Sequence, residues 1–494
     1  MSEERSGPLA RIATWLDARL GLTYPLLRPV PRYAINPLYW LGALTVVAFL
    51  IQGITGMIMM LYYVPSPTAA FQSTKYIFES VYYGRFLETI HLYTAYAMIM
   101  LAFMHMMRGY FVSVHKKPRE MMWLIGMIMG FVTLGFGFTG YLLPWTVVSK
   151  SATDVGIGIV DALPAQISSF VSFLIVGAGG DATELLRFYD LHVVVLPAAL
   201  LLLLTAKMYM LETHGITEPT GGSSQKENEL AVPIFPDVTT YLLGLAAMFG
   251  SAMLLISVIL PLNLPPEYTP QLAAQYAPQP DWYFLWIYQI LKISIFEGAG
   301  LPIALSLVAL IFLALFLLPF LDRGRERRIL NRPKFVTVGL IFIAELLVLA
   351  YWGLITPGQV IPTENAALVL GGTAVLVGAI SLGVYSLLRD RTKDGDVAIP
   401  KAAIRTSFMF RTGAALILFI AAGSLSIGAA LNGSVSLILS GESLLSLIRL
   451  VFSLISLGVA VFGTAYFIYR LELASGSVKR RIRFFEIGWT NEAH

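Results

Sequence analysis

Cysteine is absent from all 494 residues of the chain. The chain therefore forms no disulfide of its own, and it supplies no thiolate to an iron–sulfur cluster or to a haem iron. Charged residues are also scarce, at 13% of the sequence, whereas hydrophobic residues make up 57%. This balance excludes an ordinary soluble globule and predicts a membrane protein with many spans. The formal net charge of +4 does not indicate nucleic-acid binding, because the basic residues collect in short loops.

Ten apolar runs approach the roughly 20 residues that a helix needs to cross a bilayer. They cover 38–62, 88–112, 121–142, 187–210, 238–260, 302–321, 335–355, 366–388, 410–431 and 446–469. The sequence therefore predicts an all-α membrane protein with about ten transmembrane helices. A short helix is expected near 164–176 and a surface helix near 9–21.

Lysine and arginine are concentrated in alternate connections between these runs. The basic segments are 113–120, 322–334, 389–407 and the C-terminal tail, whereas 63–87, 143–186 and 261–301 are poor in positive charge. Because positive residues favour the cytoplasmic side, both termini are predicted to lie in the cytoplasm, with the chain in the cell membrane. The long loops 143–186 and 261–301 then face outward, and loops of this length usually carry function.

The second run carries two histidines, His91 and His105, which are 14 positions apart. On an α-helix this spacing corresponds to a rise of about 21 Å, and both side chains project from nearly the same face. Two imidazoles at different depths of one helix are able to hold two flat metallocofactors, and ionisable residues at membrane depth tend to be functional. The alternative is that each histidine only bonds to neighbouring helices.

Glycines repeat the same interval in two other runs. Gly42 and Gly56 are 14 positions apart in the first run, and Gly126 and Gly140 are 14 positions apart in the third. Because glycine allows another group to approach the backbone closely, these positions are predicted to face the same two cofactors. The alternative is close helix–helix packing, for which small residues are common in membranes.

Several motifs in order resemble those of cytochrome b, the haem-bearing core of respiratory and photosynthetic quinol:electron-acceptor complexes. They are Gln52-Gly53-Ile54-Thr55-Gly56, His91 with His105-Met106-Met107-Arg108-Gly109, Trp123-Leu124-Ile125-Gly126, Gly140-Tyr141-Leu142-Leu143-Pro144-Trp145, Arg187-Phe188-Tyr189-Asp190-Leu191-His192 with Pro197, and Pro280-Asp281-Trp282-Tyr283. The resemblance covers roughly residues 35–355, and the fourth helix is similar to the chloroplast type.

The resemblance implies that the first four spans form a di-haem bundle. His91 and His192 are expected to ligate an outer haem and His105 an inner haem, each b-type by default. Imidazole on both sides of an iron favours electron transfer over oxygen binding. Arg108 and Arg187 are expected to pair with haem propionates, unless they are ordinary snorkelling residues.

The second ligand of the inner haem is identified less directly. Counting 14 positions from His192 reaches Ala206, which has no ligating atom, whereas the chloroplast-type spacing of 15 reaches Lys207. Ligation requires the neutral amine, and an iron–nitrogen bond is able to offset the cost of removing its proton. The alternative is a lysine that snorkels to a propionate or lipid, which leaves the inner haem five-coordinate or ligated by Met208 or Met210.

The resemblance also implies an outer quinol site between loop 143–186 and the Pro280–Tyr283 motif. Tyr283 and Asp281 are the expected catalytic residues, because a quinol that loses two electrons must also lose two protons. The expected substrate-binding residues are Tyr141, Pro144, Pro280, Trp282 and Tyr283. The alternative for this motif is an interfacial aromatic belt.

Some positions depart from the family pattern. Asp281 stands where the family usually has glutamate, and Glu88 stands where an arginine is frequent, with Arg85 as a substitute. Two polar positions of the inner quinone site fall on Leu242 and Glu212. His115 and His214 are expected to be solvated residues of the inner loops.

The resemblance divides the chain into a cytoplasmic N-terminal arm (1–36), a di-haem cytochrome b N-terminal domain (37–225), a C-terminal domain with the outer quinol-site loop (226–355), and additional spans with a cytoplasmic tail (356–494). The implied function is that of a quinol oxidoreductase subunit. It passes one electron to a Rieske iron–sulfur protein and one across the membrane through two haems.

The expected partners are membrane lipid and other respiratory-complex subunits, with a terminal oxidase among the alternatives, in a homodimer or supercomplex. Two other functions stay open at this point. One is a cytochrome b of a terminal quinol-oxidase assembly that lacks full inner-site quinone reduction. The other, from a different class, is a multi-span proton-coupled transporter whose histidines line a proton path.

Overall fold

The computed structural model describes residues 29–177, 180–217, 231–324, 326–327 and 331–392. Within them, eight helices are long and apolar enough to cross a membrane. These helices match the first eight predicted runs, which confirms the prediction of an all-α membrane protein. The predicted runs 410–431 and 446–469 and the surface helix near 9–21 lie outside the described residues. The division into four domains stays a prediction.

The helices are numbered here in chain order. They are α1 (Leu41–Met60), α2 (Ala70–Glu79), α3 (Gly84–Phe111), α4 (Glu120–Leu142), α5 (Val147–Asp161), α6 (Ala165–Ile175), α7 (Asp181–Asp190), α8 (Leu196–His214), α9 (Thr239–Ile259), α10 (Pro270–Ala273), α11 (Leu285–Leu291), α12 (Leu301–Phe316), α13 (Leu318–Leu321), α14 (Pro333–Ile355) and α15 (Thr363–Thr392). The strands are β1 (Pro29–Pro31) and β2 (Ala231–Pro233). A π-turn, Leu191–Val195, joins α7 to α8, so that Asp181–His214 forms one span.

The described residues belong to two compact units. One contains 29–40 and 231–255, and in it β1 pairs antiparallel with β2 with Val30 opposite Val232. The other contains 41–217 and 256–392, and the predicted haem ligands and the Pro280–Tyr283 motif belong to it.

The first four spans pack into a bundle inside this larger unit. Helix α1 packs against α3, α3 against α4, and α4 against α8. Many large apolar side chains point away from this packing, such as Leu202, which is 73% exposed, and Leu61, which is 75% exposed. Because a bilayer replaces water around these side chains, an apolar exterior is expected for a membrane-spanning bundle.

The two long loops lie against each other at one end of the bundle. The Val147 N–H donates to the Pro266 carbonyl over 2.9 Å, and the Tyr268 N–H donates to the Trp145 carbonyl over 3.2 Å. Helix α5 begins here in a capping box of Thr146 and Ser149, which satisfies backbone N–H groups at the helix start. The short helix expected near 164–176 is confirmed as α6. The loops that were predicted to flank the quinol site are therefore held together by backbone bonds.

Candidate functional site

The two histidines of α3 each face a glycine of α1. A Cβ atom built on Gly42 would lie 3.2 Å from Cε1 of His105, and one built on Gly56 would lie 3.4 Å from Cε1 of His91. Because α1 and α3 pack as antiparallel helices, equal intervals of 14 residues bring both pairs into register. The glycines therefore leave room beside the two imidazoles at two levels of the bundle.

The same arrangement occurs between α4 and the fourth span. A Cβ atom on Gly140 would lie 2.5 Å from Cε1 of His192, and one on Gly126 would lie 3.1 Å from Nζ of Lys207. The four glycines thus each face one of the four predicted ligands, and Lys207 occupies the position that a fourth histidine would take.

The π-turn explains why His192 and Lys207 are 15 residues apart while the paired glycines are 14 apart. In this turn the N–H of Leu196 bonds to the carbonyl of Leu191, one residue further back than in an α-helix. A π-turn inserts one residue into a helix. Pro197 favours it locally, because proline has no N–H to offer the carbonyl four residues earlier. The inserted residue brings Lys207, and not Ala206, opposite Gly126.

Two threonines determine which nitrogen of the outer histidines is protonated. The Thr55 hydroxyl donates to the Ile51 carbonyl over 2.7 Å and lies 2.8 Å from Nδ1 of His91. The Thr139 hydroxyl donates to the Gly135 carbonyl over 2.8 Å and lies 3.2 Å from Nδ1 of His192. A hydroxyl whose only proton is already donated acts as an acceptor, so each Nδ1 carries the proton and each Nε2 keeps its lone pair.

The donor set fits two haems. The rings of His91 and His192 have centroids 6.3 Å apart, and the tautomer set by the threonines is the one in which Nε2 binds iron. At the other level, Nδ1 of His105 is buried and has no hydrogen-bond partner among the described residues. Lys207 likewise forms no hydrogen bond or ion pair in the described part of the chain. The Lys207 amine, which would lie 3.1 Å from a Cβ atom on Gly126, is therefore available to a ligand at this level of the bundle.

The alternative methionine ligands are less well placed. Met208 is 50% exposed on the outer surface of the bundle, whereas the Lys207 amine lies over Gly126 inside it. Met210 is partly buried in the same helix.

The two arginines predicted to pair with propionates differ in their surroundings. Arg108 lies in the last turn of α3, close enough to His105 to act on it electrostatically. Arg187 is engaged elsewhere: its guanidinium donates to the carbonyls of Phe173 and Leu174 at the end of α6 and lies 5.3 Å from the centre of the Phe173 ring. Propionate pairing by Arg108 stays a prediction, whereas Arg187 anchors the end of α6.

The quinol-site motif packs against the bundle at the end of α4. Tyr283 is buried, and its hydroxyl would lie 2.8 Å from a Cβ atom on Gly137. The same hydroxyl donates to Oδ2 of Asp281 over 3.3 Å. The hydroxyl of Tyr141, at the end of α4, is close enough to Asp281 for electrostatic interaction.

The rest of the motif surrounds this group. The Trp282 ring packs edge-on against the Tyr283 ring at 5.5 Å. Pro280 precedes Asp281 in the chain, and Pro144 follows α4 two residues beyond its end. The structure therefore brings Tyr141, Asp281, Trp282 and Tyr283 together, as predicted from the sequence.

Burial raises the pKa of the Asp281 carboxyl, and the hydrogen bonds from Tyr96 and Tyr283 oppose that rise. Burial also raises the pKa of the Tyr283 phenol. Tyr283 is consequently a neutral hydrogen-bonding group, while Asp281 is the more acidic residue of the pair and the better candidate for proton exchange.

Three expectations about other polar residues have definite outcomes. The expectation that His115 is solvated is wrong: the side chain is fully buried, and Nε2 lies 2.8 Å from Oδ2 of Asp322. The His115 side chain is shielded from solvent because loop 113–119 packs against Asp322 and Arg332, which lie more than 200 positions away in the sequence. His214 is exposed, as expected. Arg85 bonds to the Leu262 carbonyl and the Asn263 side chain, so it anchors a loop.

Sequence reasoning missed Thr55, Thr139 and Tyr96 as site residues. A signal for the two threonines exists, since the dipeptide Thr-Gly occurs at both outer glycine positions, 55–56 and 139–140. Neither inner glycine follows a threonine.

Comparison with known proteins agrees with this geometry. The family model described as cytochrome b(N-terminal)/b6/petB matches residues 96–270, and the model described as cytochrome b(C-terminal)/b6/petD matches residues 271–375. The cytochrome bc complex cytochrome b subunit of Chlorobaculum thiosulfatiphilum is 33% identical over 69% of this chain and 80% of its own length. Cytochrome b of Sulfolobus acidocaldarius is 32% identical over 77% of this chain and 71% of its own length.

Two further similarities extend the comparison. The menaquinol:cytochrome c reductase cytochrome b subunit of Bacillus subtilis is 37% identical over 43% of this chain and 99% of its own length. A solved structure described as a hyperthermophilic respiratory Complex III aligns with a TM-score of 0.59 and 26% identity over 76% of this chain and 99% of that one.

Helical fold, ligand pattern and sequence similarity together define a membrane protein of the respiratory electron-transfer class. The chain belongs to the cytochrome b family and is a cytochrome b of a bc-type respiratory complex. This family binds haem, and its relatives work together with other complex subunits.

Proposed function

We propose that this chain is a di-haem cytochrome b that oxidises quinol near the outer membrane face, delivering one electron to a Rieske-type iron–sulfur partner and one across the membrane through two haems. The pairing of four glycines with four nitrogen ligands at two levels of one bundle carries this proposal. One level, or two ligands, would support only a single cofactor.

His91 and His192 hold the outer haem in this proposal, and His105 and Lys207 hold the inner one. A bound haem with two nitrogen ligands carries one electron at a time at a six-coordinate iron. Thr55 and Thr139 orient the outer imidazoles by accepting hydrogen bonds from their Nδ1–H groups, and these bonds increase the basicity of the imidazoles. Gly42, Gly56, Gly126 and Gly140 provide the space beside the ligands.

Tyr283 and Asp281 act on the quinol. Quinol oxidation releases two electrons and two protons. Because the Tyr283 hydroxyl donates its own proton to Asp281, its oxygen is free to accept a hydrogen bond from a quinol hydroxyl. Asp281 then takes up a proton and returns it to water outside, while Tyr141, Pro144, Pro280 and Trp282 form the walls of the site.

The named relatives support a quinol as the substrate. The Bacillus subtilis relative is described as a subunit of a menaquinol:cytochrome c reductase, and the Chlorobaculum thiosulfatiphilum relative as part of a cytochrome bc complex. The same names support an assembly with other subunits.

Family membership favours electron transfer over the proton-coupled transporter. The terminal quinol-oxidase alternative is still open, because the two inner quinone-site positions hold Leu242 and Glu212. An aliphatic side chain offers no proton to a quinone, and Glu212 is exposed. A quinone-reduction assay at the inner face distinguishes the two assemblies.

Two substitutions test the quinol site. Tyr283→Phe and Asp281→Asn should slow quinol oxidation at least tenfold, in line with general acid–base contributions of about 10²–10⁴. Both variants should keep the haem spectra of the wild type, since neither residue is an iron ligand. Wild-type turnover in both variants, with quinol oxidation limiting the rate, would place the catalytic site elsewhere.

The orientation of the chain in the membrane has a separate test. Loop 322–334 and the C-terminal tail are proposed to face the cytoplasm because of their lysines and arginines. A cysteine introduced at Lys334 should be labelled by an impermeant maleimide only after the membrane is opened, and the parent chain has no cysteine that would interfere. Labelling in intact cells would contradict the proposed orientation.

A further inference from the structure

A residue outside the quinol-site motif contacts its carboxylate. The hydroxyl of Tyr96 donates to Oδ1 of Asp281 over 2.8 Å, which is shorter than the 3.3 Å bond from Tyr283 to Oδ2. Tyr96 belongs to α3, five residues after the predicted haem ligand His91. The bond therefore connects the ligand-bearing helix to the predicted catalytic loop.

The ring of Tyr96 is fixed by the same motif. It packs nearly perpendicular to the Trp282 ring at 6.3 Å and is tilted against the Tyr283 ring at the same distance. Aromatic contacts of this kind restrict a side chain beyond what area burial alone does. The Tyr96 hydroxyl is accordingly aimed at Asp281 by ring contacts with the two residues that follow Asp281 in the chain.

We propose that Tyr96 is a positioning residue for quinol oxidation, which holds the Asp281 carboxylate in place and favours its ionised form. This inference rests on the proposed function of Asp281 as a proton acceptor. An aspartate is one methylene shorter than glutamate, so its carboxylate is held close to its own backbone. A phenol reaching across from α3 fixes one oxygen and leaves the other for Tyr283.

The two bonds assign separate tasks to the two carboxylate oxygens. Oδ2 receives the Tyr283 proton when the Tyr283 oxygen accepts a proton from quinol, so that Tyr283 stays a neutral phenol and Asp281 becomes a neutral acid. Oδ1 keeps its bond from Tyr96 throughout. The electron that leaves quinol with this proton passes to the iron–sulfur partner of the proposed function. After Asp281 has returned its proton to water, the same relay accepts the second proton as the second electron leaves across the membrane, so that two protons and two electrons are accounted for.

Within the described ranges, the titratable groups that face Asp281 are phenols. They are Tyr96 on α3, Tyr141 on α4 and Tyr283 in the same loop. A hydrogen bond to the ionised form lowers the pKa of a carboxyl group, and the Tyr96 bond has this effect on Asp281. Loss of the hydroxyl should therefore raise the pKa of Asp281.

The experiment compares Tyr96→Phe with Tyr93→Phe in the purified complex. Tyr93 lies one turn earlier on α3, and its hydroxyl donates to the Leu260 carbonyl. Its ring packs against the Tyr96 ring at 6.5 Å, a contact that Tyr93→Phe keeps. Infrared titration follows the carboxylic-acid band that Asp281→Asn removes, and quinol turnover is measured over the same pH range. Haem spectra verify that each variant is folded.

Tyr96→Phe should raise the midpoint of the Asp281 band by about one pH unit, the tenfold change expected for a hydrogen bond to a charged group. The acidic limb of the turnover profile should move by the same amount, because a protonated Asp281 accepts no proton. Tyr93→Phe should leave both unchanged. An unmoved band in Tyr96→Phe, or an equal shift in Tyr93→Phe, would overturn the inference.

The infrared readout separates this inference from the proposed function. If Asp281→Asn retains wild-type turnover, the proposed function of Asp281 is wrong, yet the band still shows whether Tyr96 controls its ionisation. If Asp281→Asn abolishes turnover while Tyr96→Phe leaves band and profile unmoved, the proposed function stands and the role of Tyr96 is wrong.

Discussion

A Cβ atom on Gly140 would lie only 2.5 Å from Cε1 of His192. No side chain larger than a hydrogen atom fits at this position without moving the imidazole. The contact joins α4 to the fourth span at the level of the proposed outer haem, and it makes the glycine as necessary to the site as the ligand that it faces.

Gly140→Ala should therefore remove most of the outer haem and leave the inner one. Its matched control is Gly130→Ala in the same helix, where an added Cβ meets nothing within 4 Å. Haem content and redox difference spectra of the purified complex measure the outcome. Gly56→Ala should have a milder effect, since its Cβ would stand 3.4 Å from His91. Equal haem content in Gly140→Ala and Gly130→Ala would contradict the proposal that Gly140 provides the space for the outer haem ligand.

The threonine contacts make a second prediction. Thr55→Val keeps the side-chain shape but removes the acceptor for the Nδ1 proton of His91, so the imidazole becomes a weaker electron donor to iron. Thr139→Val should have a smaller effect, because His192 also hydrogen-bonds to the Phe136 backbone. The midpoint potential of the outer haem should rise by something on the order of tens of millivolts. Thr45→Val is the control, because the Thr45 hydroxyl bonds only to the Leu41 carbonyl of its own helix. Redox titration that finds the same potential in all variants would show that the hydroxyls do not act on the ligands.

Substitution of Lys207 tests the inner haem. Lys207→Ala should alter the low-temperature electron paramagnetic resonance and near-infrared signals of one haem, because an amine opposite an imidazole is lost. Lys207→His should restore a six-coordinate haem with a signature close to that of the outer one. Met208→Leu is the control, given that Met208 points to the exterior. Unchanged inner-haem signals in Lys207→Ala would show that another group ligates the iron.

Asp322 is predicted to be important for stability and not for electron transfer. Its carboxylate accepts from His115, Lys116 and Arg332, and all four side chains are largely buried. Burial lowers the pKa of His115, although the bond to Asp322 opposes this effect. Asp322→Asn leaves two buried cations without a full counter-charge, a change that typically costs about 3–5 kcal/mol.

The thermal midpoint of Asp322→Asn should fall by several degrees, with haem potentials unchanged. Glu364→Gln, at an exposed carboxylate of α15, is the matched control and should not shift the midpoint. A midpoint equal to that of the wild type would mean that the cluster contributes little net stability.

Sequence periodicity was sufficient to predict the described spans and to mark His91 and His105 as candidate ligands, whereas His192 came from the resemblance to cytochrome b. Apolar runs and the interval from His91 to His105 are properties of single helices, and a single sequence contains them directly. The fourth ligand needed a choice between Ala206 and Lys207. That choice depends on a π-turn at Leu191–Val195, which a regular helical repeat does not include.

Contacts between distant segments were not predictable in this way. Tyr96 precedes Asp281 by 185 residues, and His115 precedes Asp322 by 207. Whether a tyrosine on α3 meets a carboxylate, or whether a loop histidine is covered, depends on the packing of helices that the sequence pattern does not specify. The repeated Thr-Gly dipeptide was the one local signal for such a contact.

The central claim is that four nitrogen ligands at two levels of one bundle bind two haems. The most direct measurement is a redox titration of the haem absorbance in the purified complex. The haem content per cytochrome b chain is determined on the same sample. The account predicts two haems per chain that titrate as two separate one-electron components of similar amplitude. A single haem per chain, or no haem absorbance at all, would contradict it.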